Sequence, residues 1–296
     1  MKLKYIILVL AALTLGVGLF LTENLFTVWE QASFAKFRPV TIKTAASQIH
    51  RDVPLAGMDV DIFTGPTGEK IKRPLLIFVH GGFFQGGNKK NYAYIGNQFV
   101  RRGYAVILVG VPQYPGLVFR NFRKGASKKK SSLVGQLESF SAFTKQLAGI
   151  ADQYGFDKNQ MHFFSHGSGA VFALAVEPQA WKSIILISPL LSLAEIPQSM
   201  PLSYQSAFRG WISDEFAKAH SWQYRFDKMK NPTLLICSAN DLPALREQCE
   251  HFKEKFSERI NLQIHETQAS HFALLFHVGS KIEPMSVVIN NFLQAK

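Results

Sequence analysis

The chain has 296 residues, of which 47% are apolar and 18% charged. That balance excludes a disordered chain, and the length suits one large domain or two small ones with a sizeable core. Lys and Arg outnumber Asp and Glu by 33 to 21, a formal net charge of +12, which favours anionic surfaces such as a nucleic acid or an acidic membrane. No RNA- or DNA-binding motif accompanies the charge, so no nucleic acid is expected as a partner. Cys237 and Cys249 are too few for a disulfide framework, and neither sits in a metal-ligand pattern.

The first segment is an uncharged run from Tyr5 to Thr22, preceded by Lys2 and Lys4 and closed by Glu23. It is at the short end for a membrane-spanning helix and longer than the usual apolar core of a signal peptide. Thr22-Glu23-Asn24-Leu25-Phe26 offers no small-residue cleavage site, and Ser33-Phe34-Ala35 lies far downstream. Residues 1–35 are therefore expected to be an uncleaved membrane anchor and linker, with a cleaved signal as the alternative. Lys2 and Lys4 would stay cytoplasmic, which places residues 36–296 on the exocytoplasmic side, in a periplasm or a lumen, or secreted if the segment is removed.

Strand and helix patterns then alternate. Met58 to Phe63 alternates apolar and polar residues, as a half-exposed strand does, and Gly65-Pro66-Thr67-Gly68 reads as a turn. Pro74 to Val79 is a continuous apolar run suited to a strand covered on both faces. A helix follows and ends near Arg102, with Gly103 as its stop, and Tyr104 to Val111 is the next buried strand. Leu133, Leu137, Phe140, Phe143, Leu147 and Ile150 recur at helical spacing. Met161 to Phe164 and Ser183 to Ile187 predict short strands on either side of a helix starting near Ser168. Thr233 to Cys237 is another strand, and Leu242, Leu245, Cys249, Phe252 and Phe256 form one helical stripe. A strand around Ile260 to Ile264 and a helix around Val287 to Leu293 close the chain. This alternation predicts an α/β fold with a mostly parallel central sheet covered by helices on both faces. The active site of such a sheet lies at the carboxyl ends of its strands.

The loop after the first buried strand is His80-Gly81-Gly82-Phe83-Phe84-Gln85-Gly86-Gly87. Adjacent glycines let backbone come close to a substrate and turn its N–H groups toward a developing oxyanion, although a plain glycine-rich turn reads the same way. The segment resembles the His-Gly-Gly motif of the lipase and carboxylesterase branch of the α/β-hydrolases. The resemblance continues through residues 52–115, through 157–170 at the nucleophile elbow, and through 231–293 in the acid and histidine region. Within the superfamily the chain is most similar to small esterases related to kynurenine formamidase and hormone-sensitive lipase. It departs from them at Val111-Pro112-Gln113-Tyr114-Pro115, where the family commonly has a Tyr-Arg pair. What the resemblance implies is an α/β-hydrolase domain over 36–296 with a short cap-like insertion at 191–230, and no metal or organic cofactor. Gly81, Gly82 and Phe83 would form the oxyanion hole.

The elbow departs from the pattern. The family has Gly-x-Ser-x-Gly with small flanks, because strand and helix backbones nearly touch there. Here the chain reads Ser165-His166-Gly167-Ser168-Gly169-Ala170. Centring on 167 gives small flanks, Ser165 and Gly169, but no nucleophile. Centring on Ser168 puts bulky His166 at a flank. Either the turn has shifted by one residue and Ser168 attacks, or Ser168 only lends its N–H to the oxyanion hole and the nucleophile is lost.

Asp241 follows an apolar strand and matches the family's acid, although a helix N-cap would look the same. His271, just past the last strand expected, matches its general base. His265 and His277 are weaker candidates. Arg120, Arg123, Lys124 and Lys128 to Lys130 make loop 120–130 basic, either as a solvated loop or as a contact with anionic headgroups worth about 1 kcal/mol per charge. Trp211 and Trp222 sit in the cap-like insertion, where aromatic residues wall a substrate or simply pack. The leading expectation is hydrolysis of a small ester or acyl substrate by Ser168, Asp241 and His271. The alternatives are an inactive membrane-tethered pseudo-hydrolase that binds a ligand or partner, and a membrane-surface lipase.

Overall fold

Eight strands join in one sheet in the computed structural model, which describes residues 32–33, 48–66, 72–84, 86–112, 132–195, 212–279 and 285–295. They are β1 Gln48–Leu55, β2 Met58–Thr64, β3 Arg73–Val79, β4 Ala105–Gly110, β5 Phe156–His166, β6 Ser183–Ile187, β7 Thr233–Ser238 and β8 Leu262–Thr267. Their order across the sheet is β1-β2-β4-β3-β5-β6-β7-β8. β1 and β2 run antiparallel to their neighbours, and the pairings from β4 through β3 to β8 are all parallel.

The apolar runs of the central strands are explained by burial on both faces. Leu75, Ile77 and Val79 of β3 pack into one cluster while Leu76 and Phe78 pack into another, and β4, β6 and β7 divide in the same alternation. Helix α1 (Ala93–Val100) lies on the second face, and α2 (Leu133–Tyr154) on the first. Short α3 (Asp214–Ala219) and α4 (Trp222–Arg225) follow, and then α5 (Pro243–Phe256) on the first face. α6 (His271–Val278) and α7 (Met285–Gln294) return mainly to the second. α2 begins at Ser132, whose hydroxyl accepts from Gly135 N at 3.1 Å, and stops at Gly155, with φ of +68°.

Several bounds differ from those the sequence predicts. β5 starts at Phe156 because polar residues 158–160 are accommodated by a register shift opposite Pro74 and Leu75. The last strand begins later than expected, since its register pairs Leu262 with Thr233 and leaves Ile260 fully exposed. β1, whose residues are mostly exposed, is an edge strand that tolerates Pro54. The apolar run after His271, unassigned from sequence, is α6.

Asp61 of β2 is fully buried and pairs with Lys89, itself 6% exposed, and with Arg51 at 3.2 Å. Cys237 of β7 and Cys249 of α5 form a disulfide with Cα atoms 6.4 Å apart. The cap-like insertion is described over 191–195 and 212–230, and there Trp222 is wholly buried with Nε1 donating to Ala170 O at 3.0 Å. Trp222 is thus core; Trp211 lies outside the described residues, as do the basic loop and all of the expected anchor segment except residues 32 and 33. Among the described residues no helix is long and apolar enough to cross a membrane.

Candidate active site

The register brings the carboxyl ends of β3, β5, β6 and β7 to one edge. Val79 lies beside Ser165, and His166 beside Ile187, which pairs in turn with Ile236. The residues just beyond these ends are His80, Gly167, Ser188 and the loop that carries Asp241.

The chain turns out of β5 at residue 167. Gly167 has φ of +55°, in the left-handed region. A 3₁₀ helix, Gly167–Ala175, starts there in place of the α-helix expected. A Cβ on Gly169 would lie 2.4 Å from Val79 O and 2.8 Å from His80 O, so that flank admits only glycine. A Cβ on Gly167 meets nothing closer than 3.6 Å, and its neighbours include His271 Cε1 and Nε2, both at 3.7 Å. A side chain at position 167 would therefore face His271.

His166 is held inside the fold. It is fully buried, and its Nε2 donates to His271 O at 3.1 Å. Burial holds its pKa well below the ordinary histidine value, with the neighbouring His271 adding to the effect, so it stays neutral. Ser165 is also wholly buried. Ser168 is buried on the first turn of the 3₁₀ helix.

Asp241 and His271 meet. His271 Nδ1 lies 2.8 Å from Asp241 Oδ1, and both side chains are almost wholly buried. His271 opens α6 instead of lying in a loop, and Asp241 sits two residues before α5, its Oδ1 accepting from Leu242 N at 2.7 Å. Sequence reasoning missed a further member of this group. Ser188, directly after β6, places its Oγ 2.6 Å from His271 Nδ1 and against Asp241 Oδ2. Its φ of +46° is uncommon for a residue with a side chain, and it is held there by Ser188 N donating to Ile236 O at 2.8 Å. The signal available was its place just beyond a short apolar strand next to the elbow. One protonation pattern satisfies the set: Nδ1–H points between Asp241 and Ser188, and the Ser188 hydroxyl donates to Asp241. Nε2, on the Gly167 side, is then the acceptor.

The loop after β3 is tightly wound. Gly82 has φ of +124°, Phe83 of +48° and Phe84 of +64°, and Gly86 N donates to Gly82 O at 2.8 Å. Gln136 of α2 braces it by donating to Phe84 O at 3.0 Å. His80 stacks on Tyr92 with centroids 5.8 Å apart, and its Nδ1 donates to Gly81 O at 2.7 Å. Burial lowers the His80 pKa to about 4. Gly81 adjoins the elbow: its Cβ would lie 3.6 Å from Gly167 Cα. His265 is on β8, paired with Ile236, and His277 is in the last turn of α6, the helix that His271 opens. Among the described residues no group of three or more His, Cys, Asp or Glu is placed to hold a metal ion.

No family model matches the sequence, and neither does any curated protein. Solved structures do match. A phosphonate-inhibited esterase B from Lactobacillus rhamnosis is 14% identical, with a TM-score of 0.73 over 94% of each chain. A fungal esterase from Rhizomucor miehei is 16% identical, with a TM-score of 0.68 over 91% of this chain and 90% of that one. A bacterial heroin esterase is 14% identical, with a TM-score of 0.65 over 92% of this chain and 89% of that one. At such identities the likeness is one of fold. The chain has the α/β-hydrolase fold, and these structural neighbours are esterases of that fold.

Proposed function

We propose that this protein receives a small carboxylic ester or related acyl compound in an esterase-type site that has no serine nucleophile. The observation that carries this reading is Gly167, with φ of +55° and its Cβ direction 3.7 Å from His271 Nε2. The Gly81–Phe83 loop beside it supports the carbonyl-binding half of the reading, as does the fold shared with esterases. Ser168 takes no part as a nucleophile in this reading, because His166 is fixed inward and the register is centred one residue earlier. The uncharged run 5–22, the lysines before it and the Cys237–Cys249 disulfide support tethering to a membrane in an oxidising, exocytoplasmic compartment. The basic stretch 120–130 is assigned to the membrane surface on its charge alone.

A fluorophosphonate probe tests the site directly. The wild-type protein is expected to remain unlabelled. Gly167→Ser is expected to label at residue 167, because a serine there fits without collision and faces His271, and Gly167→Ser/His271→Ala is expected not to label. Labelling of the wild type that disappears in Ser168→Ala would overturn the reading and make Ser168 the nucleophile.

A further inference from the structure

Ser188 follows directly on β6, the strand between β5, which ends at the elbow, and β7, which leads to Asp241. Its φ of +46° is strained for a residue with a Cβ, whereas glycine adopts it freely. The fold holds a serine there from two sides. Ser188 N donates to Ile236 O of β7 at 2.8 Å, and two residues on, Leu190 N donates to Gly167 O at 2.9 Å. Segment 188–190 is therefore registered against both the acid strand and the elbow. The buried hydroxyl that it carries bridges ring and carboxylate, with Oγ 2.6 Å from His271 Nδ1 and hydrogen-bonded to Asp241 Oδ2.

The Asp241 side chain is 3% exposed, and among the described residues no Lys or Arg pairs with it. Its carboxylate is held by hydrogen bonds instead. Oδ1 faces Leu242 N at 2.7 Å and His271 Nδ1 at 2.8 Å, and Oδ2 faces the Ser188 hydroxyl. Without that hydroxyl, Oδ2 of a buried carboxylate has no donor among the described residues, and the group can turn about its Cβ–Cγ bond away from the ring. With it, both oxygens are fixed and Nδ1–H stays between Asp241 and Ser188. The opposite edge of the ring then stays aimed at residue 167, whose Cβ position is 3.7 Å from His271 Cε1 and Nε2.

We propose that Ser188 is a positioning residue of this site: its hydroxyl locks Asp241 and so holds the His271 ring toward residue 167. The proposal rests on the reading of the site as esterase-type. It makes the acid–histidine pair a three-residue unit, kept in geometry although glycine stands at 167.

Gly167→Ser in the full chain is the reporter. The introduced hydroxyl attacks the phosphorus of a fluorophosphonate, its proton passes to His271, and fluoride leaves as the O–P bond forms. Labelling over a range of probe concentrations separates the saturating rate from the half-saturating concentration. Gly167→Ser/Ser188→Ala is expected to label about 10- to 100-fold more slowly at saturation, the scale of lost positioning, with half-saturation unchanged. Gly167→Ser/Ser188→Gly relieves the left-handed strain yet still lacks the oxygen. It is expected to label as slowly as the alanine variant although its thermal midpoint is higher. In Gly167→Ser/Asp241→Asn, adding Ser188→Ala is expected to slow labelling by less than about threefold, because both residues act through one ring. Recovery of the Gly167→Ser rate by Ser188→Gly, or a change in rate and half-saturation together, would show a merely structural serine and overturn the proposal. An undiminished rate in the alanine variant would overturn it and leave the esterase-type site standing. A folded Gly167→Ser protein that takes no label would overturn the reading of the site, and the role of Ser188 with it.

Discussion

Replacing Gly169 with alanine probes how closely the elbow segment approaches the sheet. The new Cβ would sit 2.4 Å from Val79 O, 2.8 Å from His80 O and 3.0 Å from Val79 C. All three are backbone atoms at the end of a central strand, so no side-chain rotation relieves the collision. Either the 3₁₀ segment or the end of β3 must shift. Overpacking of this kind costs about 1–3 kcal/mol and sometimes more, and the rigidity of the contact puts Gly169→Ala at the upper end, about 3 kcal/mol. Gly149→Ala is the internal control. Gly149 is exposed within α2 and its Cβ would meet nothing within 4 Å, so alanine there should stabilise by about 0.5–1 kcal/mol through helix propensity and the unfolded chain. Urea unfolding followed by circular dichroism reads both variants against wild type. If Gly169→Ala unfolded at the wild-type midpoint with an unchanged slope, the close approach of strand and elbow would be refuted, and with it the centring of the turn on Gly167.

Two further outcomes follow from buried polar groups. Burial lowers the pKa values of His80 and His162 to about 4 and holds that of His166 well below its ordinary value, whereas in the unfolded chain each titrates near its ordinary 6.5. The unfolded state therefore binds more protons below that value, so stability present above pH 6.5 is lost as pH falls toward 4, by about 2 kcal/mol for each of His80 and His162 at pH 5. Urea titrations at pH 7 and pH 5 check this, and equal stabilities would contradict it. Lys89→Met would leave the fully buried Asp61 carboxylate with the half-exposed Arg51 in place of its buried cationic partner, at a cost of about 3 kcal/mol. Lys89→Met/Asp61→Leu should recover much of the loss in thermal midpoint, and a double variant no better than the single one would argue that the pair is not coupled.

The sheet was legible in the sequence where burial is two-sided. Apolar runs such as Leu75 to Val79 and Ile184 to Ile187 have no other use in a chain of this composition. β1 was not legible, because an edge strand satisfies its pairing with polar residues and even Pro54. Asp241 and His271 stood out because each follows an apolar strand, and the collision at Gly169 explains why small flanks pointed to residue 167. Ser188 escaped notice because its importance comes from two partners distant in sequence, at 53 and 83 residues. No local pattern encodes that meeting. The hydrogen-bond state of His166 is equally a property of the assembled fold.

The Cys237–Cys249 link has a mechanical consequence for Asp241. The two cysteines are 12 residues apart, and the covalent ring they close contains the carboxylate. One side of that ring is a central strand locked between β6 and β8. If α5 loosens from the sheet, the segment bearing Asp241 can travel only as far as the crosslink permits. The acid is thus leashed to the sheet at both ends, and its recapture by His271 after a local opening is a short intramolecular step.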